Sequence, residues 1–167
     1  WCWEKYEAFT LRPTTGTPFH AVVQAYGLDR DFAAALPRCV DEQAETLVLH
    51  ELGEHRAGRW LGPAWGDMRI ALPTRRADLY ARAVRDHLAD LAGTLPALLE
   101  HGTAASIHFW FASFDGVREL LFPSLRGAYR GWVGGDGGLA LRRACAQGHA
   151  HFARLAQAVL SLHAQGG

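Results

Sequence analysis

Thr74-Arg75-Arg76-Ala77-Asp78-Leu79-Tyr80-Ala81-Arg82-Ala83-Val84-Arg85-Asp86-His87-Leu88-Ala89-Asp90-Leu91-Ala92-Gly93-Thr94-Leu95 reads as one amphipathic helix. Thr74 supplies the hydroxyl that caps a helix start. Ala77, Tyr80, Ala81, Val84, Leu88, Leu91 and Leu95 recur at three- and four-residue steps and share a face, while Asp78, Arg82, Arg85 and Ala89 point away. His87 falls beside Tyr80, Val84 and Leu91, so it faces inward. Pro96 ends or kinks the helix.

The same periodicity spreads outward in both directions. Thr103 to Phe122 predicts an aromatic-rich helix with Ile107, Trp110, Phe114, Val117 and Leu121 on its apolar face. His108, Asp115 and Glu119 form a separate stripe, read as a solvated face. Pro123 breaks that helix, and Ser124 to Val133 predicts a short one. Gly134 to Gly138 is a connector without the Gly-Lys-Ser/Thr ending of a phosphate loop. Leu139 to His163 predicts the last helix, with Leu141, Cys145, Phe152, Leu155, Val159 and Leu162 inward and His149 at the edge of that face. Upstream, a helix is expected from Val40 or Asp41 to somewhere between Gly58 and Gly62, followed by a loop over Gly62 to Asp67. Phe19 to Tyr26 reads as a short helix closed by Gly27. Asp29 is expected to cap another, stopped after Leu36 by Pro37. Residues 1–18 read as a packed, partly irregular arm. The expected fold is all-α: one domain over residues 1–167, a helical bundle of about four longer helices plus short N-terminal helices.

Composition narrows the function classes. Seventeen basic and 17 acidic residues cancel, so no global field favours nucleic acid or an anionic membrane surface. No run approaches the ~18 apolar residues of a membrane span. Cys2, Cys39 and Cys145 form no C-x-x-C pair, which points away from a disulfide framework and towards a reducing, cytoplasmic setting. The chain opens Trp1-Cys2-Trp3-Glu4 without Met or a signal-like segment, an opening that suits a piece of a longer chain. Nine histidines are the compositional outlier, and histidine serves both as metal ligand and as general acid or base.

The chemistry gathers at Leu47-Val48-Leu49-His50-Glu51-Leu52-Gly53-Glu54-His55. With His50 at the origin of a helical wheel, Glu54, Glu51 and His55 fall at about 40°, 100° and 140°. Leu47, Ala44 and Val48 occupy the same sector, so the ligand-type residues are expected to be buried with an apolar face. Charges buried there need partners, protons or a metal ion. The expected site is a divalent metal centre (iron, manganese or zinc) built from His50, Glu51, Glu54, His55, His87 and His149, with Glu51 or His55 as the proton-transfer group. It would serve a metal-dependent oxidoreductase or hydrolase acting on a small-molecule substrate. The competing reading is a non-catalytic module in which the same residues form a closed polar network and an aromatic surface takes a protein partner or a second copy of the chain.

Known zinc-protease spacings are not met: His50-Glu51 is followed by Glu54 where H-E-x-x-H needs histidine, and Glu51 holds the first place of H-x-x-E-H. A ferritin-type E-x-x-H pair is also absent, since Glu51 to His55 is one residue too long. His20 followed about thirty residues later by Leu47-Val48-Leu49-His50-Glu51 resembles the metal-binding start of HD-domain phosphohydrolases. That resemblance covers about a fifth of the chain and implies His20, His50 and Glu51 as metal ligands, with a metal-activated water attacking a phosphoester. Glu51 stands where that family has aspartate, and no later aspartate is marked out.

Overall fold

The computed structural model describes residues 1–166, and every regular element among them is helical. In chain order these are α1 (Cys2–Leu11), α2 (Pro18–Tyr26), α3 (Phe32–Leu61), α4 (Pro63–Ala71) and α5 (Arg75–Ala89). A π-helical turn over Asp90–Thr94 carries α5 into α6 (Leu95–His101). Then come α7 (Ala104–Ser113), α8 (Gly116–Leu121), α9 (Ser124–Val133) and α10 (Leu139–Ala164). The all-α bundle is therefore as expected, with α3, α5 and α10 as its long members.

The main core lies where α5, α7, α9 and α10 converge. Phe111, Phe114, Leu125, Leu141 and Phe152 are fully enclosed there, each side chain contributing roughly 1.5–3 kcal/mol of hydrophobic stabilisation. A smaller core forms at the other end from Val22, Val23, Tyr26, Leu28, Cys39 and Phe109, with Cys2, Tyr6 and Phe9 of α1 packed against it. None of the described helices is long and apolar enough to cross a membrane.

Capping explains several boundaries. Thr74 accepts from the Ala77 N–H at 3.1 Å, and Gly27 closes α2 in the left-handed conformation at φ 72°, both as the sequence implies. Other boundaries differ from expectation. Residues 2–11 are helical, not irregular, although α1 buries no residue fully. It is held by its rings instead: Tyr6 stacks on Phe32 at 4.3 Å and Trp1 meets Phe109 at 5.0 Å.

The helix expected to stop at Pro37 runs straight through it, and its cap is Asp31, not Asp29. A proline there forfeits one backbone hydrogen bond near the helix start. Its neighbour Arg38 offsets the loss by donating to the Tyr26 carbonyl at 3.1 Å, tying α3 to the end of α2. Residues 63–71, expected to begin in a loop, form α4, because Pro63 occupies the first helical position where its missing N–H costs nothing.

The expected long helix over 103–122 is broken between α7 and α8. Two arginines stabilise the break: Arg118 Nη2 donates to the Ser113 carbonyl and Arg126 Nη2 to the Phe114 carbonyl, both at 2.6 Å. They satisfy carbonyls that a continuous helix would have bonded internally.

Candidate functional site

The contact between α3 and the α5–π-turn segment fixes the site. α3 turns Cys39, Gln43, Thr46, Gly53, Ala57 and Leu61 inward. Gly53 sets the spacing: a Cβ there would stand 2.8 Å from the Ala89 carbonyl oxygen. Small and short polar side chains therefore choose the buried face of α3, because they let two backbones meet. Leu47, Val48 and Leu52 are left exposed.

This reverses the apolar sector expected from the sequence. His50 and Glu54 lie at the edge of the buried face, whereas Glu51 and His55, rotated away, are exposed. The structure thus brings together two of the four polar residues of the motif.

Asp90, the first residue of the π-helical turn, is the centre of the cluster and is 1% exposed. Its carboxylate accepts from His50 Nδ1 at 2.8 Å and from Arg118 Nη1 at 3.2 Å. A π-turn inserts an extra residue and rotates the next stretch of helix, a local distortion often found at functional sites. The Arg118 backbone carbonyl in turn accepts from His87 Nε2 at 3.0 Å, which fixes the proton of that imidazole on Nε2. One chain of hydrogen bonds therefore links α3, the π-turn, α8 and α5.

On its other side, His50 Nε2 lies 3.5 Å from Glu54 Oε1, which accepts from Arg85 Nη2 at 2.7 Å. Asp86 joins this end. Burial, then the neighbouring Glu54 carboxylate, push its carboxyl up to about 6. Asp86 Oδ1 is buried with no hydrogen-bond partner. The hydrogen bond to Asp90 raises the His50 pKa above the usual imidazole range, against the opposing effect of burial. His50 is accordingly biased towards the imidazolium form.

The remaining expected ligands lie apart. His87 is buried in the main core, stacked on Phe152 at 4.1 Å, and desolvation lowers its pKa to about 4. Its ring meets this cluster only through the Arg118 backbone. His149 is half-buried in the wall of a separate cavity of about 200 Å3, beside Gly53, Trp60 and Gly93. His20 accepts from the Gly16 N–H at 3.3 Å and packs against Phe9, so the set of His20, His50 and Glu51 implied by the HD-domain resemblance is not assembled. The stripe of His108, Asp115 and Glu119 is also dispersed: these residues pair with Tyr129, Lys5 and Arg126 respectively. Among the described residues, no group of three or more His, Cys, Asp or Glu side chains is placed to hold a metal ion.

Sequence reasoning missed Asp86, Asp90 and Arg118. A usable signal existed for the aspartates: they are spaced i, i+4 on one helix, next to the small residues Ala83, Ala89 and Gly93 that mark a second buried face. Arg118 carried no such signal, since its position depends on the break between α7 and α8.

His50 and Arg118 also close one end of a cavity of about 550 Å3 between α1, α3 and α7. Its walls are mainly apolar, including Trp1, Trp3, Leu36, Leu47 and Phe109. Buried Gln43 and Thr46 add polar edges, with Gln43 Nε2 donating to the Tyr26 hydroxyl at 2.6 Å. Among the described residues no carboxylate lines it, so its two basic side chains are both cationic or cation-prone.

Fold and site together define an all-α helical domain with a His–Asp–Arg cluster at the end of an apolar cavity. The chain belongs to the family of unknown function DUF6866 and matches that family's C-terminal domain over residues 1–167. No curated protein and no solved structure matches it.

Proposed function

We propose that the domain binds a small amphipathic anion, a carboxylate on an aliphatic or aromatic body, in the cavity between α1, α3 and α7. The observation that carries this reading is the charge arrangement: an apolar cavity of about 550 Å3 whose basic side chains, Arg118 and His50, lie together at one end. Ligand sites combine apolar walls with a few convergent polar groups in this way. Asp90 holds both bases from behind, fixing their direction before a ligand arrives, and preorganisation of that kind lowers the cost of binding.

Displacement of anilinonaphthalene sulfonate by decanoate, with decanol as the uncharged counterpart, tests the reading. Decanoate is expected to compete at least ~10-fold better than decanol, a difference of about 1.4 kcal/mol. Its advantage should shrink as pH rises through the His50 titration. Leu47→Glu places a carboxylate at an exposed position in the cavity wall. It should cut decanoate binding about 10-fold with little change in Tm, since surface substitutions seldom exceed about 0.5 kcal/mol. Equal competition by acid and alcohol, or none by either, overturns the proposal.

A metal-dependent reading draws support from one specific observation, the buried Asp86 Oδ1, which makes no hydrogen bond and lies near Glu54, 3.7 Å from Arg85 Nη2. On this reading His50, Glu54 and Asp86, a set narrower than the sequence offers and not assembled as placed in the structure, shift to close around a divalent cation. Oxygen and nitrogen donors of this type suit iron, manganese or zinc, and such a centre would serve oxidative or hydrolytic chemistry. Elemental analysis of protein purified without chelator is expected to show near-stoichiometric metal that Glu54→Gln removes. Metal-free protein after anaerobic reconstitution rejects this second reading and leaves the first standing.

A further inference from the structure

Cys2 and Cys39 lie 37 positions apart in sequence yet line the same cavity and belong to the same apolar cluster. Cys39, on the inward face of α3, is fully buried, while Cys2, at the start of α1, is half-buried and reachable from the cavity. Cys2 packs against the cluster that holds Cys39, and the neighbouring thiol lowers the Cys2 pKa to about 7 while that of Cys39 is raised. An accessible thiol with thiolate character beside a protected one is the arrangement of an attacking and a resolving cysteine. Cys145 has neither property: it is buried in the main core and desolvation raises its pKa to about 12.

We propose that Cys2 and Cys39 are a redox-modification site, at which a peroxide closes a reversible disulfide that fastens α1 to α3. The Cys2 thiolate attacks one peroxide oxygen; the O–O bond breaks and hydroxide leaves, giving a sulfenic acid on Cys2. The Cys39 sulfur then attacks the Cys2 sulfur, the S–O bond breaks, and water departs with the Cys39 proton. In sum, two thiols and one hydrogen peroxide give one disulfide and two waters, and a small-molecule dithiol restores the thiols with its own oxidation.

The consequence lies in α1, which has no fully buried residue and is anchored by ring contacts and the exposed Lys5–Asp115 ion pair. Trp1 and Trp3 of this end of the chain form part of the cavity wall. Fastening Cys2 therefore fixes the wall, whatever the cavity binds.

The test is intact mass and peptide mapping of the reduced chain after stoichiometric hydrogen peroxide, with Cys2→Ser and Cys39→Ser alongside. The wild type is expected to lose the mass of two hydrogens, yield a peptide pair joined through Cys2 and Cys39, and regain its mass with dithiothreitol. Cross-linking a loop of this length should also raise Tm by roughly 5–10 °C. Cys2→Ser, a change at a half-buried position that leaves the core intact, should show neither effect. Addition of oxygen without loss of two hydrogens, a cross-link through Cys145, or a cross-linked chain with unchanged Tm overturns the proposal.

Discussion

Asp90→Ala is expected to destabilise the fold by about 3–5 kcal/mol, the range for removing one partner from a buried ion pair. The size reflects the groups that the substitution strands. Asp90 is 1% exposed and is the common acceptor for His50 and Arg118. Without it, two basic side chains face each other, and of the two His50 alone keeps a nearby carboxylate, Glu54 at 3.5 Å from its Nε2. Arg118 retains its bond to the Ser113 carbonyl, which keeps the loss below that of a fully isolated charge. Asp90→Asn preserves the shape and one hydrogen bond, so it should cost less than alanine. Denaturant melts at pH 7 read both effects as a lower midpoint at unchanged slope. The same variants bear on His50. Asp90 raises its pKa, so His50 contributes stability that is full below its unfolded value and is lost as pH rises through the folded one. In Asp90→Asn that alkaline loss should disappear, and the His50 ring resonances should titrate at lower pH. An Asp90→Ala protein that melts like the wild type would show that the cluster is a surface ornament.

The fold is legible where one face of a helix is large and apolar. Tyr80, Val84, Leu88 and Leu91 announce α5, and Phe152 and Leu141 announce α10, because burying such side chains dominates the free energy of packing. Legibility fails where a helix packs through small residues. On α3 the inward positions are Gln43, Thr46, Gly53 and Ala57, while Leu47 and Val48 face solvent; hydrophobic periodicity alone picks the wrong face. That single rotation explains why His50 and Glu54 enter the cluster and why Glu51 and His55 do not. His87 lies inward as its periodicity implies, but an inward histidine has two fates, ligand or core residue, and its stacking on Phe152 belongs to the second. The π-turn and the α7–α8 break have no periodic signature. Both depend on long-range hydrogen bonds from Arg118 and Arg126, which local sequence patterns do not encode.

Acidification from pH 7 to about 4.5 should have opposite effects on two single variants, because His87 and Asp86 oppose each other over nearly the same range. His87 is buried as a neutral ring with its pKa lowered to about 4 by desolvation. Below its unfolded value of about 6.5 the unfolded chain binds a proton that the folded chain refuses, so stability falls as pH drops. Asp86 behaves in the opposite sense. Its carboxyl is pushed up to about 6 by burial and the neighbouring Glu54, so between about 6 and its unfolded value near 3.9 the folded chain holds the extra proton. Stability from that group rises as pH drops and is lost as pH climbs through about 6. The full shifts are worth about 3 kcal/mol each at about 1.4 kcal/mol per pH unit; the part developed between pH 7 and 4.5 is about 2 kcal/mol for each, and in the wild type they nearly cancel. His87→Phe removes the acid-labile term and should become more stable relative to wild type as pH falls to 4.5, by about 2 kcal/mol. Asp86→Asn removes the compensating term and should lose a similar amount over the same interval. His108 also titrates low through desolvation and adds to the acid loss in all three proteins, so differences from wild type isolate His87 and Asp86. Chemical denaturation at both pH values decides the matter. Parallel stability–pH curves for the three chains would mean that neither buried group changes its proton affinity on folding.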